Sequence, residues 1–183
     1  MPWPFRRSLP IAGVAVLMAA APAPAGPPAA PAPHVRPETA ADRDLLDELA
    51  AHSPTVQRLL ERLATSDVVV YVRHRTFTDS ILDGRIGIVR SSGGTGRYLI
   101  VELACSRGRI DQLVTLGHEL RHAVEIADAD GIVDATTLAE HYTRIGFRTS
   151  AERAFDTHAA REASVQIRRE LYGIAVRSSH ERP

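Results

Sequence analysis

Two histidines stand four residues apart in the segment LVTLGHELRHAVEIADAD, and a glutamate directly follows the first of them. On an α-helix, a four-residue step is about 6 Å of rise and about 40° of rotation, so His118 and His122 project from the same face. Two imidazoles placed in this way can bind one zinc ion at about 2.1 Å each. The spacing therefore predicts that both side chains are metal ligands.

Glu119 lies one position round the helix from this pair. From there its carboxylate can take a proton from the water that attacks a substrate, which is the task of the glutamate in an H-E-x-x-H motif. The chain contains eight histidines, so a chance match is the competing interpretation, in which these residues form only a solvated polar face.

The hydrophobic pattern around the motif predicts a helix from Arg109 to about Asp128. Its apolar residues recur with the helical period, and the two histidines lie on the side opposite this stripe. Two acids share that polar side. We expect Asp111 or Glu125 to orient a ligating imidazole through its second nitrogen.

Other local signals predict the elements that must position this helix. Before it we expect two helices, a buried strand and a β-hairpin, at 39–52, 54–64, 67–73, and 85–90 with 97–103. Ser53 should be the N-cap of the second helix, with Pro54 in its first turn. After it we expect a short helix that Asp134 or Thr136 caps and Gly146 ends, and a long helix from Thr149 or Ser150 to about Leu171. This order predicts an α+β domain, with a small antiparallel sheet packed on helices.

The segment His118–His122, preceded by a hairpin and followed by helices, resembles the zincin metallopeptidases. The resemblance implies a zincin-like fold, one catalytic Zn²⁺ and hydrolysis of peptide or protein substrates. It also implies that the substrate lies antiparallel along an edge strand beside the metal helix. Here that strand would contain Arg97, Leu99 and Val101.

The third ligand is expected to come from a later helix. Metzincins extend the motif with a glycine and a third histidine, but this chain has Glu125 and Asp128 at those positions. A carboxylate is the third ligand in gluzincins and aspzincins. We predict Asp156, because it falls inside a predicted helix, where aspartate is a poor helix former. Glu152 is the alternative, although it also fits a capping box.

The N-terminal residues predict export. Two arginines, an apolar run and an A-x-A sequence follow one another within residues 1–25, which is the order of a secretory signal peptide. We therefore expect a periplasmic or secreted protein with no membrane span after signal removal. The predicted organisation continues with a Pro/Ala-rich disordered tether at 26–37, a single domain at 38–175 and a polar tail at 176–183.

The composition bears on two further properties, nucleic-acid binding and disulfide formation. Lys+Arg and Asp+Glu are equal at 22 each, which argues against a broad nucleic-acid-binding surface. The single cysteine, Cys105, cannot form an intramolecular disulfide, and we expect it to be buried at a strand end. The sequence thus predicts an exported zinc-dependent metallopeptidase-like hydrolase. The alternative is a non-catalytic exported domain with structural zinc or none.

Overall fold

The computed structural model describes residues 33–79, 81–89, 96–148 and 155–180, with side chains through residue 173. The predicted signal peptide, most of the tether and the turn of the hairpin lie outside these residues. Within them, no helix is both long and apolar enough to cross a bilayer.

The described residues form an α+β domain of five helices, a four-stranded sheet and a small two-stranded one. The helices are α1 (Ala40–His52), α2 (Pro54–Ala64), α3 (Arg109–Asp128), α4 (Ala135–Ile145) and α5 (His158–His180). The strands are β1 (Val35–Pro37), β2 (Val68–Arg75), β3 (Gly84–Val89), β4 (Arg97–Ala104), β5 (Phe147–Arg148) and β6 (Phe155–Asp156).

The larger sheet has the strand order β1-β2-β4-β3. The predicted hairpin is confirmed, because β3 and β4 pair antiparallel. The prediction of an antiparallel sheet is wrong, since β2 runs parallel to both β1 and β4. β2 and β4 each contribute three fully buried aliphatic side chains and take the two interior positions, whereas β3, which contains two glycines, lies at an edge.

This strand order corrects the predicted substrate strand. β4, with Arg97, Leu99 and Val101, is paired on both sides and cannot accept a further strand. Leu99 and Val101 are fully buried in the core. Arg97 instead donates to the carbonyls of Ile126 and Ala129, at 2.6 and 2.8 Å, and so caps the C-terminus of α3.

Helix ends followed the local signals in most cases. Ser53 is the N-cap of α2 with Pro54 in its first turn, and α3 has the predicted limits. Asp134 caps α4, which ends before Gly146. These predictions are confirmed.

The start of α5 differs from the prediction. The helix begins at His158, and Asp156 lies before it in β6 rather than inside it. The Thr157 hydroxyl accepts the N–H of Ala160 at 3.1 Å, as an N-cap does. Gly146 permits the β5–β6 pairing, since a Cβ there would lie 2.6 Å from the carbonyl oxygen of Asp156. The predicted starts at Thr149 and Ser150 lie outside the described residues.

The domain begins earlier, and its last helix ends later, than the sequence predicted. β1 pairs with β2, so residues 35–37 belong to the sheet and not to a tether. The backbone of α5 is helical to His180, which includes part of the predicted polar tail. Cys105 is exposed and not buried as expected, because it directly follows the last residue of β4.

Helix α3 lies at the centre of the domain. It packs against the sheet on one side and against α5 on the other. Gly117 allows the second contact, since a Cβ at this position would lie 2.3 Å from the Cδ1 atom of Ile167 on α5. On the side opposite the apolar stripe, His122 and Glu125 are also buried. The interpretation of this side as a solvated polar face is wrong.

Candidate metal centre

His118, His122 and Asp156 converge on one point between α3 and β6. The two Nε2 atoms are 3.1 Å apart, and the Oδ1 atom of Asp156 lies 3.5 Å from His118 Nε2 and 3.9 Å from His122 Nε2. Ligands at 2.0–2.1 Å from a tetrahedral zinc ion are about 3.3 Å from one another. The three atoms are therefore spaced as ligands of a single ion.

The second ring nitrogen of His122 is held by Glu125. Nδ1 donates to Oε2 of this carboxylate at 2.8 Å, and the other carboxylate oxygen accepts the hydroxyl of Thr157, also at 2.8 Å. His122 is only 3% exposed and Glu125 8%. A carboxylate behind a ligating imidazole fixes its tautomer and increases its basicity. The expectation for Glu125 is thus consistent with the structure.

His118 is held from α5 in a similar way. Its Nδ1 atom lies 2.9 Å from the hydroxyl of Ser164, which itself donates to the carbonyl of Ala160 at 3.0 Å. The Ser164 hydrogen is used in that bond, so we assign the donor role toward Ser164 to the Nδ1–H of His118. Both histidines then direct Nε2 lone pairs to the shared point.

Three acceptor atoms that face one another in a largely buried site repel one another, and a positive charge between them removes this repulsion. Burial and the neighbouring His122 lower the pKa of His118. Burial opposes a raised pKa at His122, but the carboxylates of Glu125, Glu119 and Asp156 outweigh it. A proton on His122 would form a hydrogen bond only between the two Nε2 atoms. A metal cation would satisfy all three atoms, and the donor set of two imidazoles and a carboxylate suits zinc.

Asp156 is fixed by its neighbours on both carboxylate oxygens. Oδ2 accepts Arg161 Nε at 2.6 Å, and Oδ1 accepts the N–H of Thr157 at 2.7 Å. The guanidinium of Arg161 also lies 4.3 Å above the ring of Phe147. Glu152, the alternative ligand, lies outside the described residues. His158 packs against Phe147 and is not part of the cluster.

Glu119 is buried beside the three ligands and is only 5% exposed. Burial raises its pKa to about 7; the negative charge of Asp156 adds to the shift, and His122 opposes it. Gly84 of β3 lies directly against this carboxylate, since a Cβ there would be 3.2 Å from Glu119 Oε1. A side chain at position 84 would disturb the glutamate.

An open groove of about 550 Å³ reaches Glu119 and His122. Its walls are the start of β3, residues 77–79 and 82, and one side of α4. Tyr142 of α4 lines it, with its ring edge against His122 at a centroid distance of 5.2 Å. Burial raises the pKa of the Tyr142 phenol, which therefore stays a neutral donor. The groove connects Glu119 and His122 to solvent.

One predicted orienting residue is not part of the site. Asp111 pairs with Arg168 of α5 at 3.0 Å, and the group behind His118 is Ser164. Sequence reasoning missed Ser164, Thr157 and Arg161. The pair Asp156-Thr157 directly before a helical pattern was an available N-cap signal that would have placed Thr157.

No protein-family model, curated protein or solved structure matches this chain. Its function is therefore inferred from the chemistry of the site.

Proposed function

We propose that the protein is an exported zinc-dependent hydrolase with a zincin-like fold that cleaves peptide bonds. The observation that carries the proposal is the convergence of two imidazole nitrogens and one carboxylate oxygen beside a buried glutamate, at the end of an open groove. The proposed export depends on the predicted signal peptide at residues 1–25.

His118, His122 and Asp156 would hold the metal, while Glu125 and Ser164 keep the two imidazoles in the required tautomer. Zinc in such a site supplies Lewis acidity, which makes water a nucleophile at neutral pH. Structural zinc sites are normally closed by four protein ligands. Three converge here among the described residues, which favours a catalytic role over a structural one.

Glu119 is the proposed general base and acid. Its ionised carboxylate takes a proton from the attacking water and transfers it to the leaving amine nitrogen. Its burial suits this role, because a carboxyl whose pKa is near 7 can both accept and donate a proton near neutral pH.

The edge strand β3 replaces β4 as the proposed substrate strand. It lies at the outer edge of the described sheet, and its first three residues line the groove. An extended peptide can pair with the free N–H and C=O groups of an edge strand. Gly84 would then place the peptide backbone next to Glu119.

The test is peptide cleavage by the full chain and by Glu119→Gln, with zinc content measured on both proteins. An unfolded protein is incubated with each, and the products are identified by mass spectrometry. We expect cleavage to fall about 10²–10⁴-fold in the variant, because the proton acceptor is lost. The zinc content should not change. Glu140→Gln, on the exposed side of α4, is the matched control.

Equal cleavage by Glu119→Gln and wild type would overturn the proposed mechanism. A wild-type protein that binds zinc stoichiometrically but cleaves no peptide would favour the alternative, a non-catalytic domain with structural zinc.

A further inference from the structure

Three arginines surround one buried glutamate on the sheet face that lies away from the helices. Glu102 of β4 is 4% exposed and accepts Arg73 Nη2 at 2.7 Å, Arg75 Nη1 at 2.8 Å and Arg85 Nε at 2.5 Å. The register explains the cluster, because Arg73 on β2 and Arg85 on β3 both lie opposite Glu102. We call these four residues the arginine cluster.

The positive charges of the arginine cluster outnumber the one negative charge that they surround. Its three guanidinium groups have about fifteen N–H donors, whereas one carboxylate offers about four acceptor positions. Arg75 and Arg85 keep about half of their side-chain surface exposed, at 51% and 50%. A further acid, Glu38, lies 3.7 Å from Arg73, on the β2 side. The unbalanced charge is therefore largest at Arg75 and Arg85.

Arg85 connects this charge to the groove. It follows Gly84 in β3 and lines the groove that reaches Glu119. Its guanidinium lies 5.4 Å from the ring centroid of Phe77, another lining residue, so it is held in place from two sides. Asp79 also lines the groove and accepts the N–H of Ile81 at 2.9 Å.

A peptide paired with β3 would present its side chains to this strand in alternation. The residue opposite Arg85 projects to the same face as Arg85, and opposite charges in such a cross-strand pair are favourable. Its neighbour, about 3.3 Å along the strand, lies opposite Gly84 and next to Glu119. A side chain within one or two residues of the scissile bond would thus meet the guanidinium.

We propose that Arg85, supported by Arg75 and Glu102, makes the enzyme select substrates with an aspartate or glutamate close to the scissile bond. The inference rests on the proposed hydrolase function and adds a substrate class to it. The same geometry disfavours lysine and arginine at that position.

The test uses one cleavable peptide with glutamate, glutamine or lysine at each of the three positions on either side of the scissile bond. Binding to Glu119→Gln is measured by fluorescence anisotropy, and kcat/KM is measured with wild type. At one position we expect about a tenfold preference for glutamate over glutamine in both measurements, the size of a hydrogen bond to a charged group.

Arg85→Gln should remove this preference, and Arg85→Lys should restore part of it. Arg168→Gln, which removes an arginine of α5 paired with Asp111, is the control and should leave the preference unchanged. Thermal unfolding checks that each variant is folded. Asp79→Asn should strengthen the preference by removing a negative charge from the groove.

The outcomes separate this inference from the proposed function. Cleavage with no charge preference at any position would overturn the substrate class and leave the hydrolase. Arg85-dependent binding of acidic peptides without cleavage by wild type would support the arginine site and contradict the hydrolase. Neither binding nor cleavage of any peptide would overturn both.

Discussion

The metal centre and the arginine cluster are both polar clusters in the same small domain, but their charges are arranged in opposite ways. In the candidate metal centre three acceptor atoms face one another, and the Nδ1–H groups of the two imidazoles point away from them and donate to Ser164 and Glu125. In the arginine cluster one acceptor group is surrounded by donors. Buried polar groups are stable only when they are paired. The first arrangement suits a cation, and the second leaves N–H donors that suit an anion.

Strand β3 links the two clusters. Gly84 lies against Glu119 of the metal centre, and the next residue, Arg85, donates to Glu102. Substitutions on either side of this strand can test whether the two clusters have the separate roles described above.

The largest effect is expected for His122→Ala, which removes a ligand. Zinc binding by a full ligand set is worth about 10–16 kcal/mol, so the loss of one ligand should raise the Kd for zinc by about 10²–10³-fold. Competition with a chromogenic chelator measures it. His158→Ala, whose ring packs on Phe147 outside the cluster, should bind zinc like wild type. An unchanged affinity of His122→Ala would show that the cation site is elsewhere or absent.

Glu125→Gln should weaken the metal centre less, since it removes only the carboxylate behind His122. We expect a 10- to 100-fold rise in the zinc Kd, about the usual effect of such a residue. Asp111→Asn is the control, since the sequence offered Asp111 as an alternative to Glu125. In the structure Asp111 pairs with Arg168, so this substitution should leave the zinc Kd unchanged. Equal effects of the two substitutions would contradict the assignment of Glu125.

Glu102→Gln should show how much the arginine cluster contributes to the free energy of unfolding. Burial opposes ionisation of Glu102, but Arg75, Arg73 and Arg85 outweigh it and lower its pKa from 4.5 to about 2. A depressed carboxyl pKa stabilises the fold above the unfolded value and loses this effect as the pH falls from about 4.5 to about 2.

Glu102→Gln should therefore lower the free energy of unfolding by about 2 kcal/mol at pH 7. The difference from wild type should shrink as the pH falls through that window. Urea unfolding in the presence of a chelator measures both, with Glu140→Gln as control. A difference that does not depend on pH would argue that the arginines do not stabilise the ionised form of Glu102.

Gly84→Ala should have the smallest effect and should lower catalysis and stability without changing the zinc affinity. The new Cβ would lie 2.5 Å from the methyl group of Thr115 and 3.2 Å from Glu119 Oε1, so the glutamate must move. We expect kcat/KM to fall about tenfold, with zinc affinity unchanged. Gly87→Ala in the same strand meets no atom within 4 Å and is the matched control. Equal activity of both variants would place the substrate away from this end of β3.

Local signals predicted much of the fold, and non-local pairing was the main source of error. The apolar period gave both ends of α3, and Ser53-Pro54 gave the start of α2. The interior position of β4 depends on the chain crossing from β2 to β3 before it returns, and no local pattern contains this information. The start of α5 was ambiguous, because 149–152 and 156–157 both resemble helix starts.

The sequence predicted most residues of the candidate site, but some of the reasons for choosing them were wrong. Asp156 does meet the two histidines, but from a short strand before α5 and not from within a helix. Asp111 and Glu125 share one side of α3, so the helical period could not distinguish them. The partner helix decides, since α5 brings Arg168 to Asp111 and Ser164 to His118.

The most direct test of the metal centre is an equilibrium zinc titration of wild type and Asp156→Ala, because Asp156 is the proposed ligand that the H-E-x-x-H motif does not include. We predict one zinc per wild-type chain and an affinity about 10²–10³-fold weaker in the variant. A wild-type protein that binds no zinc, or a variant that binds it equally well, would contradict the account.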